Sequence, residues 1–329
     1  MSKADELFKK MCQEIIDNGY STEGEKVRPH WEDGTPAHTI KTFGVVNRYD
    51  LSEEFPALTL RPTGIKSAVD EMLWIWQKKS NNIHDLKSHI WDSWADENGS
   101  IGKAYGYQQA KMYLYKGINE NDLKKAFEDI ETGEINYEGT LCTAYGLGKT
   151  ECKNGLSEFD HLIAVKNKGL HLMTQIDKAI YDIINNPYSR RIMVTMWNVE
   201  DLHEMALEPC AYSMTFNVTG DKLNAILNQR SQDILAANNW NVVQYSMLLM
   251  MLAQVTGYKP GILMHVISDA HIYDRHVPII KELIERPTYP APKVTLNPDV
   301  KNFYDFTPDD VKVEDYQAGP QVKGIPVAI

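Results

Sequence analysis

YSMTFNV at 212–218 and KLNAILN at 222–228 are separated only by Thr219-Gly220-Asp221. Two short apolar-polar runs around a Gly-Asp turn predict a β-hairpin. VVQYSMLLMMLAQVT at 242–256 is apolar nearly all round, follows Asn241 and stops at Gly257. That pattern predicts a fully buried helix with Asn241 near its N-cap and the glycine as its C-terminal stop. ILMHVI at 262–267 predicts a further buried strand. Strand, strand, helix, strand, with no regular βαβ alternation, predicts one mixed β-sheet covered by helices, an α/β fold of the α+β kind, and not a doubly wound one. Working outward, IMVTMW at 192–197 predicts another strand. Asp5 to Asn18 predicts an amphipathic helix, with Leu7, Phe8, Met11, Cys12, Ile15 and Ile16 at helical spacing and Gly19 as its stop. SAVDEMLWIWQ at 67–77 predicts a core helix capped by Ser67, and within it Glu71 stands out. A carboxylate buried without partners costs several kcal/mol, so it sits at an exposed edge or serves a purpose.

The 329 residues carry 34 Lys and Arg against 45 Asp and Glu, a net charge of −11. That balance argues against nucleic acid or an acidic membrane as partner, though not against a small anionic ligand. Four scattered cysteines (Cys12, Cys142, Cys152, Cys210) do not make a disulfide framework and suggest a reducing compartment. The N-terminal residues lack the apolar core of a signal peptide, and the apolar run Tyr245 to Ala253 is far too short for a membrane span, so a cytoplasmic location is expected. Between Lys111 and Leu172 the chain turns acidic and polar and holds most of its Gly-rich runs, which predicts an inserted lobe at 111–172 within one catalytic domain spanning 1–329. Cys142, Cys152, His161 and His171 match no standard zinc-ligand spacing, so no metal is expected.

Four motifs carry chemistry: Glu208-Pro-Cys-Ala, Asn228-Gln-Arg-Ser-Gln-Asp, Asn239-Trp-Asn and Ser268-Asp-Ala-His-Ile-Tyr. Each alone has a bland reading, since most free cysteines are small buried hydrophobes and polar residues often end strands. Together they fit one task. A cysteine nucleophile gains from a guanidinium that favours thiolate, which Arg230 can supply while Arg230 and Ser231 hold an oxyanion. Asn241 offers a donor and an acceptor for an amide-like base edge. If the strand continues through them, His271 and Tyr273 share one side of it and suit a sugar hydroxyl.

This set, PC, QRSxD, a following Asn, DAHIY and a terminal PVAI, resembles the thymidylate synthase family, in the branch that lacks His after the cysteine. The resemblance runs through His38–Asp50, Glu71–Gln77, Ile90–Tyr107, Ser189–Asn198, Met205–Pro290 and the C-terminus, leaving the insert outside it. It implies reductive methylation of dUMP to dTMP with 5,10-methylenetetrahydrofolate as carbon donor and reductant. It implies that Cys210 adds to the pyrimidine, that Glu71 organises proton-moving waters and that Tyr105 assists removal of the C5 proton. Arg230 and Ser231 would hold the phosphate together with Arg190 and Arg191 from the partner of a homodimer. Asn241 would read the uracil, with His271 and Tyr273 on the 3′-hydroxyl and Gln229 and Asp233 among the dUMP-binding residues. Trp91, Trp94, Leu207, Asp233, Arg61 and Ala328 fall where the family holds the folate, and Pro326-Val-Ala-Ile329 would close over both ligands.

Several positions depart from the family pattern. Ala211 stands where His is usual, Thr215 where Gln is usual, and Ala237-Asn-Asn-Trp-Asn replaces Gly-x-Pro-Phe-Asn. The phosphate loop WEDGTPAH at 31–38 lacks its usual Arg, for which Arg28 is the candidate substitute. The alternative reading is a deoxyuridylate hydroxymethylase of the same fold, in which water traps the methylene group. Asn241 disfavours a cytosine-specific version, and the intact PVAI end, which excludes water, favours hydride transfer.

Overall fold

The computed structural model describes residues 2–116, 118 and 170–329. In chain order its helices and strands are α1 (Lys3–Asn18), β1 (Tyr20–Ser21), β2 (Thr39–Asp50), α2 (Ile65–Trp76), α3 (Gly106–Ala110), β3 (Met112–Lys116), β4 (Leu170–Thr174), α4 (Gln175–Asn185), β5 (Met193–Thr195), β6 (Ala211–Thr219), β7 (Lys222–Asp233), α5 (Asn238–Thr256), β8 (Lys259–Tyr273), α6 (Val277–Glu285), β9 (Lys293–Leu296) and β10 (Val311–Glu314). Six strands form one sheet in the order β1-β2-β8-β7-β6-β5. Every described pairing in it is antiparallel except β7 with β8, which is parallel. The mixed sheet expected from the sequence is therefore present. Parallel neighbours need a long crossover, and α5 supplies it: the apolar run at 242–256 buries its helix against the sheet between the two strands it connects. Gly257 closes α5 at φ 80°, a left-handed conformation that costs an L-residue with a side chain about 1–2 kcal/mol.

Several boundaries differ from the sequence reading. Helix α2 begins at Ile65 behind Gly64, with no side-chain cap, so Ser67 lies inside it and caps nothing. Ten of its residues are buried, and packing rather than capping sets its start. Helix α5 begins at Asn238, which moves Asn241 from the cap into the first turn. Strand β8 runs on to Tyr273, past the polar Ser268-Asp269, because Ser231 and Asp233 of β7 pair with Asp269 and His271. The strand expected at 192–197 shortens to β5.

Asn239, one of the departures from the family pattern, proves to be a staple. Its Oδ1 accepts from the Leu58 amide at 3.0 Å and the Thr63 hydroxyl at 2.6 Å, and its Nδ2 donates to the Pro56 carbonyl at 2.9 Å. A buried asparagine with all these bonds made holds the 56–63 loop onto the start of α5. Thr215 lies in a cross-strand row with Ile226 and Met193, on the sheet face turned away from α5. Ile226 and Met193 are exposed there, so Thr215 belongs to an uncovered surface rather than to the pocket.

Of the 111–172 lobe only its margins are described: β3 and β4 pair as an antiparallel ribbon. Cys142, Cys152 and His161, and the side chain of His171, lie outside the described residues. Among the described residues no helix is long and apolar enough to cross a membrane.

Candidate active site

Cys210 leads into β6 where the pairing with β7 slips. A bulge between Ala211 and Ser213 breaks the register, and the Arg230 amide donates to the Cys210 carbonyl at 3.0 Å. Bulges of this kind re-aim the residues beside them. On β7 the alternation slips as well: Gln229 and Gln232 are both buried, with half-buried Arg230 and Ser231 between them.

Arg230 clamps the segment that delivers the cysteine. Its Nη2 donates to the Glu208 carbonyl at 2.7 Å and its Nε to the Pro209 carbonyl at 3.2 Å, with the guanidinium 5.9 Å from the Trp197 ring centre. A guanidinium has five N–H donors, so three remain for an oxyanion. Burial nonetheless pushes the Cys210 thiol above its ordinary pKa, and the charges of Arg230 and Arg28 only partly oppose it. In the single, ligand-free chain desolvation thus outweighs the pull of the guanidinium toward thiolate.

Tyr105 touches this cysteine directly, its hydroxyl accepting from the Cys210 amide at 3.1 Å. It does so from a strained backbone, φ 42° and ψ −99°, of the sort that persists only where neighbours enforce it. Gly106 is part of the enforcement, since a Cβ there would come within 1.8 Å of the Ser80 carbonyl oxygen. The Tyr105 ring packs 5.1 Å from that of Trp91, which in turn packs 5.7 Å from Trp94.

Trp91 then reaches Glu71. Its indole N–H donates to Glu71 Oε1 at 2.9 Å, and the Trp240 indole donates to Oε2. Burial raises the Glu71 pKa, while bonds from Trp240 and Trp91 and the nearby Gln244 amide pull it down. The carboxylate is therefore neither at an exposed edge nor unpaired. Trp240, at the position where the family has Phe, is a hydrogen-bond partner of Glu71 that in the sequence is only a departure from the family pattern; its place beside Asn241 is the available signal. Trp240→Phe removes one donor to the charged form, so the Glu71 pKa rises and the acid limb of the rate profile moves to higher pH. The expected loss at neutral pH is about three- to tenfold, regained at higher pH, as measured by kcat between pH 5 and 9.

Asn241 sits among amides: Gln229 and Gln232 donate to its Oδ1 at 3.2 and 3.3 Å, and its Nδ2 donates to Gln244 at 3.0 Å. Asp233 spends Oδ1 on the Leu235 and Ala236 amides and lies 3.5 Å from His276, while its Oδ2 makes no hydrogen bond among the described residues. Burial opposes its charge, but His276 prevails and holds the carboxyl below its usual pKa. His271 Nδ1 bonds Asp269 at 2.9 Å, which leaves Nε2 for another partner. Its ring lies 5.1 Å from that of Tyr273, whose hydroxyl burial pushes up to about 12, so it stays a donor at any working pH.

Arg28 is exposed, yet its charge acts on both Cys210 and Tyr273, which places it at this pocket. Arg61 donates to the Leu235 carbonyl at 2.5 Å beside the Asp233 charge. Trp94 and Leu207 are half-buried against the core. The tail is docked: Ile329 and His30 exchange two backbone bonds of 2.9 Å, and the Pro326 carbonyl lies 2.8 Å from His276 Nε2, with Ala328 half-buried between them.

Arg190 and Arg191 are the exception. Both are exposed and precede β5, whose Met193 pairs with Thr215 far along β6 from Cys210. Seven residue steps along the strand lead from Cys210 to Asn217, the neighbourhood of these arginines, or roughly 20 Å, well beyond an arginine's reach. Their own chain does not bring them to its cysteine.

Known proteins resemble this chain along almost its whole length. The thymidylate synthase family model matches residues 6–329. The chain is 37% identical to a thymidylate synthase of Bacillus mojavensis over 326 residues, 98% of each chain, so the match takes in the 111–172 segment that sequence reasoning set outside it. It is 36% identical over 328 residues to thymidylate synthase 1 of Bacillus subtilis (strain 168), again over 98% of each. The solved structure of the thermostable thymidylate synthase A from Bacillus subtilis superposes with a TM-score of 0.78 at 35% identity, covering 99% of both chains. These matches all carry the methylating name, and none favours the hydroxymethylase alternative. The chain belongs to the thymidylate synthase family and is a methyltransferase.

Proposed function

We propose that the residues gathered around Cys210 carry out the family's reaction, the reductive methylation of dUMP to dTMP. When bound, 5,10-methylenetetrahydrofolate supplies the one-carbon unit and the hydride and leaves as dihydrofolate. The donor set fits it: a half-buried Trp94 against Trp91 for ring stacking, the free Oδ2 of Asp233 for a ring N–H, and the Arg61 charge and Leu207 nearby.

Cys210 is the nucleophile that adds to C6 of the pyrimidine; the C5–C6 π pair shifts toward O4 to give the enol, and the thiol proton passes through water to O4. Arg230 keeps the cysteine in place and, with Ser231 and Arg28, offers donors to the phosphate. Asn241, backed by Gln229, reads O4 and N3 of the uracil, and His271 Nε2 with the Tyr273 hydroxyl binds the 3′-hydroxyl. Tyr105, held against Cys210 by its strained backbone, assists removal of the C5 proton through water. Glu71 holds the waters that carry protons to and from O4. The docked tail from Pro326 to Ile329 shields the site from water, which favours hydride transfer over hydration.

Arg190 and Arg191 complete the phosphate site from the partner of a homodimer. The uncovered sheet face supports this, with Val46, Ile226 and Met193 exposed on it, an apolar surface of the kind that a second copy covers. The inserted lobe at 111–172 is an elaboration of the same catalytic unit. The observation that carries the reading is the unbroken line of contacts from Cys210 through Tyr105 and Trp91 to Glu71. It is tested by incubating the protein with dUMP and methylenetetrahydrofolate and following dihydrofolate absorbance. Equal amounts of dTMP and dihydrofolate are expected. Hydroxymethyl-dUMP without dihydrofolate would overturn the reading.

A further inference from the structure

His265 lies in the middle of β8, fully buried on the side that faces α5, and takes no part in the chemistry above. Burial pushes its pKa down to about 3, so the ring is neutral and carries a single proton. Its Nε2 meets Gln229 Oε1, while its Nδ1 has no partner. A buried N–H goes where an acceptor waits, which puts the proton on Nε2. Gln229 must then present its oxygen to His265 and its amide N–H to Asn241 Oδ1, the contact seen at 3.2 Å.

The polarity of Asn241 follows. A side-chain amide is nearly symmetric in shape, and turned over it offers the opposite pattern of donor and acceptor. As held here, Nδ2 faces an acceptor and Oδ1 faces donors, the pattern that matches uracil, with an oxygen at position 4 and a protonated N3. Turned over, the same residue matches cytosine. Turning it over also brings its N–H groups against those of Gln229, a donor facing a donor. The bonds to Oδ1 are long, so one can yield to an arriving N3–H while the other still fixes which end is oxygen. Gln232 backs this polarity only weakly, because its Nε2 is shared between Asn241 Oδ1 and the Asp233 carbonyl at 3.3 Å each and its own Oε1 has no partner among the described residues.

We propose that His265 is a positioning residue for base selection: by donating from Nε2 to Gln229 it locks Asn241 in the uracil-reading orientation. The proposal rests on Asn241 reading the base. His265 touches no ligand and acts through two amides, so its loss affects discrimination more than catalysis.

The test compares dissociation constants for dUMP and dCMP by calorimetry in His265→Phe, His265→Gln and Asn241→Asp. Phenylalanine fills the space without a donor, whereas glutamine places an N–H where Nε2 stood. The ratio of the two constants is expected to fall by about tenfold or more in His265→Phe and to recover to within about threefold of the original in His265→Gln. An unchanged ratio in folded His265→Phe overturns the proposal. Asn241→Asp separates this from failure of the underlying reading: if it too leaves the ratio unchanged, another group reads the base and both ideas fall; if it alone shifts the ratio, only the relay falls. Should His265→Phe not fold, ¹⁵N spectra of the unsubstituted protein decide the matter. A neutral ring protonated at Nε2 from pH 5 to 8 is expected, and a proton on Nδ1 would overturn the relay.

Discussion

Cys210→Ser is expected to lower turnover by about 10⁴-fold or more while dUMP still binds within a fewfold of its original affinity. A hydroxyl at this site is a far weaker nucleophile than a thiol, and the same desolvation that raises the cysteine pKa acts on whatever replaces it. The substitution changes little else. The amide of residue 210 still donates to Tyr105, and the carbonyl still accepts from the Arg230 amide, because both bonds are made by backbone atoms. Turnover by dihydrofolate absorbance and binding by calorimetry together check it. If turnover survives, the nucleophile is elsewhere.

The second large effect concerns Arg190 and Arg191. Alanine at both is expected to reduce kcat/KM by about 10²- to 10³-fold, since two charge-assisted contacts to the phosphate are lost. The informative measurement is a mixture. In a heterodimer of the doubly substituted chain with Cys210→Ser, one pocket has its cysteine from the first chain and its arginines from the second. That pocket is whole and the other lacks both. Random reassortment of equal amounts should therefore restore roughly a quarter of the original activity from two nearly inactive parents. If the arginines served their own chain's cysteine, mixing would restore nothing, and the roughly 20 Å of strand between them would have to be bridged in some other way.

The tilt of the pocket's electrostatics bears on both experiments. A net charge of −11 argues against polyanion partners, yet the charges of Arg28 and Arg230 both act on Cys210, so the local field differs from the sum over the surface. Glu71 shows the same contrast on a smaller scale. It is a carboxylate in an apolar helix, and two indole donors from separate elements make its burial bearable.

Much of this was legible in the residues alone. The run at 242–256 had no polar face to offer solvent, so it had to be a core helix, and Gly257 had to end it. The hairpin at 212–228 announced itself by its turn. Cys210, Arg230 and Asn241 stood out by their chemistry and Tyr105 through the family resemblance, and the fold puts Tyr105 and Arg230 against the Cys210 segment. Local signals of this kind survive folding because they depend on neighbours in sequence.

What the tertiary structure alone decided depends on groups distant in the chain. That β8 continues past Ile267 was open in the sequence, because pairing with β7, not the polar composition of Ser268-Asp269, keeps the strand extended. Ser67 had the chemistry of a cap but not the place, since packing of ten buried residues set the start of α2. The role of Asn239 required the 56–63 loop, some 180 residues earlier, to arrive beside it. The state of the Cys210 thiol turned on the balance between desolvation and two guanidinium charges, and burial won. Sequence by itself determined which side chains this protein has for its reaction and which segments must be buried. Only the fold decided which donors face which acceptors, and with them the burial of Cys210, the environment of Glu71 and the orientation of Asn241, because hydrogen bonding and desolvation act through space rather than along the chain.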